Sequence, residues 1–203
     1  MKRWLLLIVL AVLAWQLWPL PVPAVSTPPP AVGPVNGDPF TAPVQRDLER
    51  GPRFTLNGIA ARALAEYTVS GRVLSATRYR LGRSADLAPV DLALGWGRMT
   101  DPRVIDRLDI HQSGRWYFWR YQGTPPLPVD EIARSSANVH LIPANRAVAR
   151  ALRRADAGQR ITLRGYLVEL RAADGWHWRS SLRRDDSGDG SCELMYVQAV
   201  SDG

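Results

Sequence analysis

The sequence predicts a mainly β (α+β) domain, a partly closed antiparallel β-barrel with short connecting helices, preceded by one transmembrane helix. Three observations carry this expectation. Runs rich in aromatic and β-branched residues recur from Glu66 to Val200. Helix start signals fall only in the connections between those runs. An unbroken apolar stretch opens the chain, from Trp4 to Leu20, interrupted by Gln16 and Pro19.

Taken in order, Met1-Lys2-Arg3 is a short positive region ahead of WLLLIVLAVLAWQLW. Through Leu20 the stretch reaches the ~17 residues that a membrane-crossing helix needs, and it exceeds the 7–15-residue core of a cleavable signal. Trp4 at one end and Trp15 and Trp18 at the other resemble an interfacial aromatic belt. The charges at Lys2 and Arg3 keep the start in the cytoplasm. Residues 1–20 therefore read as a single-pass anchor in the inner (cytoplasmic) membrane, with the remainder extracytoplasmic and periplasmic. Cleavage near Val22-Pro23-Ala24 is the alternative. Residues 21–53 read as a proline-rich linker. Ten prolines lie between Pro19 and Pro52 without hydrophobic periodicity, which predicts an extended spacer of up to ~100 Å.

A single β-rich domain follows, 54–203. Tyr67, Val69, Gly71 and Val73 alternate through the first strand, with Gly71 expected at a bulge or bend. Asp91–Trp96 is a second strand. In Arg115–Tyr121, Arg115, Tyr117, Trp119 and Tyr121 share one face, and Trp116, Phe118 and Arg120 the other. Asn138–Ile142 and Arg160–Leu170 are further strands, the latter with Gly165 at its centre. GWHWRSSL and CELMYVQAV flank DDSGDGS and read as a hairpin. Asp101-Pro102, Pro128 and Asn145 open three helices, the last running toward Gly158. On it Val148, Ala151, Leu152 and Ala155 share the apolar face, and Arg146, Arg150, Arg153 and Arg154 the opposite one. A helix ahead of a long glycine-bent strand makes the barrel OB-like.

Composition sets limits on function. Hydrophobic content of 46% and charged content of 22% exclude a wholly disordered chain. Cys192 is the only cysteine, which excludes a disulfide framework and a multi-cysteine zinc module. The net charge of +7 rests on 26 Lys+Arg, of which Lys2 is the only lysine. Those charges are spread along the domain and read as surface. The one organised stripe, on the third helix, permits contact with anionic headgroups but reads first as a solvated face.

No catalytic constellation emerges. His111, His140 and His177 do not fall at ligand spacing on one element. Asp185–Gly190 begins like a calcium loop, but Tyr196 stands where the twelfth-position glutamate belongs, so a polar turn is expected. No serine sits in a nucleophile elbow, and GWGRM lacks the spacing and lysine of a phosphate loop. Catalytic, cofactor and metal residues are accordingly assigned to none.

Two groups do concentrate unusual residues. HQSGRWYFWR, from His111, interleaves arginines with aromatics. SSANVHLIPAN, from Ser135, sets asparagines, serines and a histidine around an apolar strand, where polar groups must bond internally or meet a ligand. The candidate ligand or partner surface is Trp96, His111, Arg115, Tyr117, Trp119, Asn138 and His140. A cleft joining Trp96, Arg115, Asn138 and His140 would mark a ligand site; their dispersal would favour a partner domain.

The segments DLALGWGRMTD, HQSGRWYFWR, SSANVHLIPA, LRGYLVEL and GWHWRSSLRRDDSGDGSCE resemble a family of uncharacterised bacterial proteins with an N-terminal hydrophobic anchor and one domain of this size. The likeness spans about Tyr67 to Val197. It implies the architecture and brings no activity, substrate or cofactor. The leading expectation is a membrane-anchored extracytoplasmic domain that binds a protein partner at the cell envelope without catalysis. Alternatives are an OB-like binder of single-stranded nucleic acid or a small ligand, and a small hydrolase using Ser113, His111 or His140.

Overall fold

The computed structural model describes residues 4, 5, 7, 19–34, 41–183 and 192–202. Most of the anchor read over 1–20 and the whole Asp185–Gly190 turn lie outside the described residues. No helix among the described residues is long and apolar enough to cross a membrane.

The fold is mainly β. The strands are β1 (Val25–Ser26), β2 (Val44–Asp47), β3 (Arg53–Leu56), β4 (Ile59–Arg78), β5 (Val90–Gly95), β6 (Asp109–Ser113), β7 (Trp116–Arg120), β8 (Ser136–Pro143), β9 (Arg160–Arg171), β10 (His177–Arg179) and β11 (Glu193–Asp202). The connections carry helices α1 (Arg83–Leu87), α2 (Pro102–Ile105), α3 (Val129–Arg134) and α4 (Arg146–Arg154). The main sheet runs β1-β3-β4-β5-β8-β11-β9-β10, and a further β4–β9 pairing brings the path back on itself. The result is a partly ring-like sheet. Its pairings are antiparallel except β8 with β11, which are parallel and joined by the long connection through α4, β9 and β10.

Close backbone contact makes the curvature possible. A Cβ on Gly165 would lie 1.9 Å from the Tyr196 carbonyl oxygen, and one on Gly71 would lie 2.5 Å from that of Gly95. Gly71 is thus a point of close approach. The bulge expected there falls instead between Val73 and Ser75 on the β5 side, with a second between Ala63 and Ala65 on the β9 side. The main core is built from alternate residues such as Tyr67, Val69, Leu92, Leu94, Leu163, Leu167 and Met195, joined by Val148 and Leu152 of α4. Asn145 caps α4, its Oδ1 accepting from the Ala147 and Val148 N–H groups at 2.9 and 3.0 Å. At the other end Arg78 donates to the Arg153 and Ala155 carbonyls. Ala149, rather than Ala151, joins Val148 and Leu152 in the buried face.

Two further expectations are corrected. The strands expected as one hairpin do not pair with each other: β10 folds back on β9, while β11 lies between β9 and β8. The proline segment is not a free spacer. Leu20 is buried in the main core, β1 pairs with β3, and β2 pairs with β4. Prolines lack the N–H groups for a ladder, so side chains hold this segment. Gln198 donates to the Pro29 and Pro30 carbonyls and accepts from the Val32 N–H, and the Tyr166 hydroxyl donates to Pro30.

Candidate functional site

The long connection from β5 to β8 folds back over the outer face of those strands. Its hairpin, β6–β7, is turned by Gly114 and Arg115, whose φ angles of 57° and 69° make a type I′ turn. Strand alternation then divides the hairpin into two faces. Ile110, Gln112, Tyr117 and Trp119 turn inward, and the apolar members of this face pack with Leu74, Met99, Leu108 and Ile132. The outer faces of β5 and β8 present Asp91, Asn138, His140 and Ser136 to it, with Asp91 directly opposite His140 in the register.

Asp91 is fully buried, and Arg115 and His140 approach its two oxygens. Oδ1 accepts from Arg115 Nη1 at 2.9 Å, and Oδ2 lies 2.9 Å from His140 Nδ1. A proton on Nδ1 is the tautomer this contact requires, since a ring lone pair would repel the carboxylate. Arg115 also donates to the Ala88 carbonyl and lies over the Tyr79 ring at 4.0 Å and the Trp178 ring at 5.3 Å. Its left-handed backbone is held too: its N–H donates to the Tyr79 hydroxyl, and its carbonyl accepts from Asn138. Burial, and then the Asp91 charge, push the Tyr79 phenol above its ordinary range. Trp178 closes the cluster against the His140 ring, with centroids 5.0 Å apart.

Of the predicted surface, Arg115, Asn138 and His140 therefore meet. Tyr117 and Trp119 lie farther along the same inner face, and burial pushes the Tyr117 phenol up to about 12. Trp96 does not join them; it is buried among the main core residues. His111 stands on the opposite, outer face of the hairpin, stacked on Phe118 at 5.1 Å. Across the strands of that face Ser113 opposes Trp116 and Asp109 opposes Arg120. Phe118 is 43% exposed. Arg115, expected beside Tyr117 on one strand face, instead forms the turn. Ser113 points away from His140, because Gln112, its neighbour, is the residue that bonds Asn138. Among the described residues no group of three or more His, Cys, Asp and Glu could hold a metal ion.

A second polar cluster was not foreseen. The registers align Arg53, Arg62, Glu169 and Arg179 across β3, β4, β9 and β10. Glu169 is only 4% exposed and faces Arg62 at 2.9 Å, Arg171 at 2.6 Å, His177 Nε2 at 2.9 Å and Arg179 at 3.4 Å. Burial alone would push its carboxyl up, but the hydrogen bonds from His177, Arg171 and Arg62 outweigh it and hold the group at about 2. Ser26, Thr27, Arg53, Thr55, Arg62 and Arg171 line a cavity of about 510 Å³ over this row. The signal available in sequence was LVEL read as alternation, which sets Glu169 on the face opposite Leu170; its partners come from three strands, β4, β9 and β10.

The chain matches no protein-family profile, no curated protein and no solved structure.

Proposed function

We propose that the chain is an anchored extracytoplasmic domain of the cell envelope, OB-like in architecture, which binds a protein partner through the outer face of β6–β7 and performs no catalysis. The β4-β5-β8-β11-β9 path with α4 ahead of the glycine-bent β9 supports the OB-like reading. Trp4, Leu5 and Leu7, 74%, 69% and 56% exposed, favour a membrane around the N-terminal segment. The family resemblance of the WGRM and SANVHLIPA segments agrees with an anchored domain, and the orientation rests on Lys2 and Arg3.

The observation that carries the partner reading is the hairpin itself. Its inner face is committed to the domain, while His111, Trp116 and Phe118 are set outward, and aromatic anchors are what protein interfaces favour. The same geometry weakens the alternatives. Single-strand binding needs free stacking platforms and cations, but Tyr117 and Trp119 face inward, Arg115 holds Asp91, and Arg120 pairs with Asp109. Hydrolysis through His140 would need a nucleophile beside it, and Ser113 is on the opposite face; His111 shares the face of Ser113 but is stacked on Phe118.

A photo-crosslinking residue at Phe118 in the full chain, irradiated in intact membranes, should yield one discrete adduct. The same residue at Arg154, on the exposed side of α4, should not. Absence of an adduct at 118, or the same adduct at both positions, would reject the hairpin face.

A further inference from the structure

We propose that the cavity over Glu169 is a binding site for a small phosphate monoester, with Arg53, Arg62 and Arg171 as its phosphate ligands. The site does not depend on the partner reading; it lies toward the opposite end of β4 from Thr77, where the hairpin contacts that strand.

The first argument is charge. Arg62, Arg171 and Arg179 surround one carboxylate and Arg53 stands next in the row, leaving three arginine charges uncompensated. A single arginine would neutralise Glu169. Folding does not explain the surplus, since exposed ion pairs contribute little and like charges directly across strands are unfavourable. Arg53 stands directly opposite Arg62 and has no ion-pair partner among the described residues.

The second argument is organisation. Arg62 and Arg171 each direct one Nη2 to Glu169, so a buried carboxylate fixes both guanidinium groups beside the cavity. Planar guanidinium forks suit the several oxygens of a phosphate better than any other side chain. Ser26, Thr27 and Thr55 add hydroxyl donors to the same wall. Thr27 is held at φ 52°, a left-handed conformation that a β-branched residue rarely takes and that concentrates at ligand sites. The third argument is size. About 510 Å³ is far more than a bare ion fills and lies within the range of small-molecule sites. Ala60, opposite Thr55 in the register, is the apolar side chain that shares this face with the arginines.

Calorimetric titration of the full chain in detergent at low ionic strength tests this, with glucose 6-phosphate, inorganic phosphate and glucose as probes. Glucose 6-phosphate should bind one to one and several-fold more tightly than inorganic phosphate, and glucose should not bind. Arg53→Met should weaken glucose 6-phosphate at least tenfold without moving the melting temperature, because Arg53 is exposed and unpaired. Arg171→Met should do likewise; if it also lowers the melting temperature, Arg53→Met decides alone. No heat with either phosphate would overturn the proposal. So would equal affinity for the two phosphates, which means a site for an adventitious ion only, or binding indifferent to Arg53→Met.

Discussion

Arg115 shows how much one side chain can be asked to do. It forms the β6–β7 turn in a conformation that favours glycine, and its guanidinium is the partner of a carboxylate with no access to water. Removing one member of a buried ion pair is far more damaging than removing both, since the survivor remains desolvated. Arg115→Ala should therefore destabilise the protein by about 3 kcal/mol. Arg115→Gly loses the same charge but relieves the left-handed backbone, so it should recover about 1 kcal/mol of that loss. Urea unfolding of both variants checks the difference; an alanine variant as stable as the glycine variant would mean that the turn is unstrained. Arg115, Asn138 and His140 could be picked out from sequence as polar residues in apolar company. Asp91 could not. DLALGW reads as a strand beginning with its acid at a solvent end, and only the register with His140 and the returning hairpin make that carboxylate buried.

Among elements, β10 has the most to lose from titration. It is three residues long, pairs with β9 alone among the described residues, and is fastened by His177 and Arg179 to Glu169 on one face, while Trp178 on the other covers Arg115 and His140. Glu169 is depressed from 4.5 to about 2 in the folded protein. A depressed carboxyl stabilises above its unfolded value and loses that contribution as pH falls toward the folded one. Full conversion would slightly exceed ~3 kcal/mol, and solvent at Arg62, Arg171 and His177, 40%, 65% and 41% exposed, reduces it to about 2 kcal/mol. Trp178 should consequently become more exposed between roughly pH 4.5 and 2, and Glu169→Gln should show the exposed state already at pH 7. Differential tryptophan quenching, with Trp178→Phe as the blank, reads this; a pH-independent signal would remove Glu169 as the fastener. The seven runs from Glu66 to Val200 all correspond to strands, because alternation survives whatever the pairing. Pairing itself was not legible: two runs adjacent in sequence suggested a hairpin, and β9 took both as neighbours instead. The Asn57-Gly58 turn between β3 and β4, with φ of 50° and 79°, was a readable signal that the proline count obscured.

At the scale of the molecule, the sheet's return on itself and the docking of residues 19–34 belong to one design. The ring-like path leaves the end near α4 to be covered, and Leu20 enters the main core there, with Pro19 and Val22 bordering a cavity of about 510 Å³ shared with Arg146, Arg150 and Arg153. Composition alone suggested a spacer, since proline richness and missing periodicity describe a chain that cannot build its own core. They do not prevent it from completing another. If the preceding apolar segment is an anchor, the domain sits against the membrane, with the arginine stripe of α4 beside the point of exit and facing anionic headgroups. Docking is testable without that premise. Leu20→Asp in the full chain places a charge in an apolar core, so it should cost several kcal/mol and lower the melting temperature by roughly 5–15 °C. Limited proteolysis should then cut within residues 19–34, which should resist cleavage in the parent, where Gln198 and Tyr166 hold Pro29 and Pro30. An unchanged melting temperature with both proteins cut equally would restore the free spacer, and with it the separation of domain from membrane.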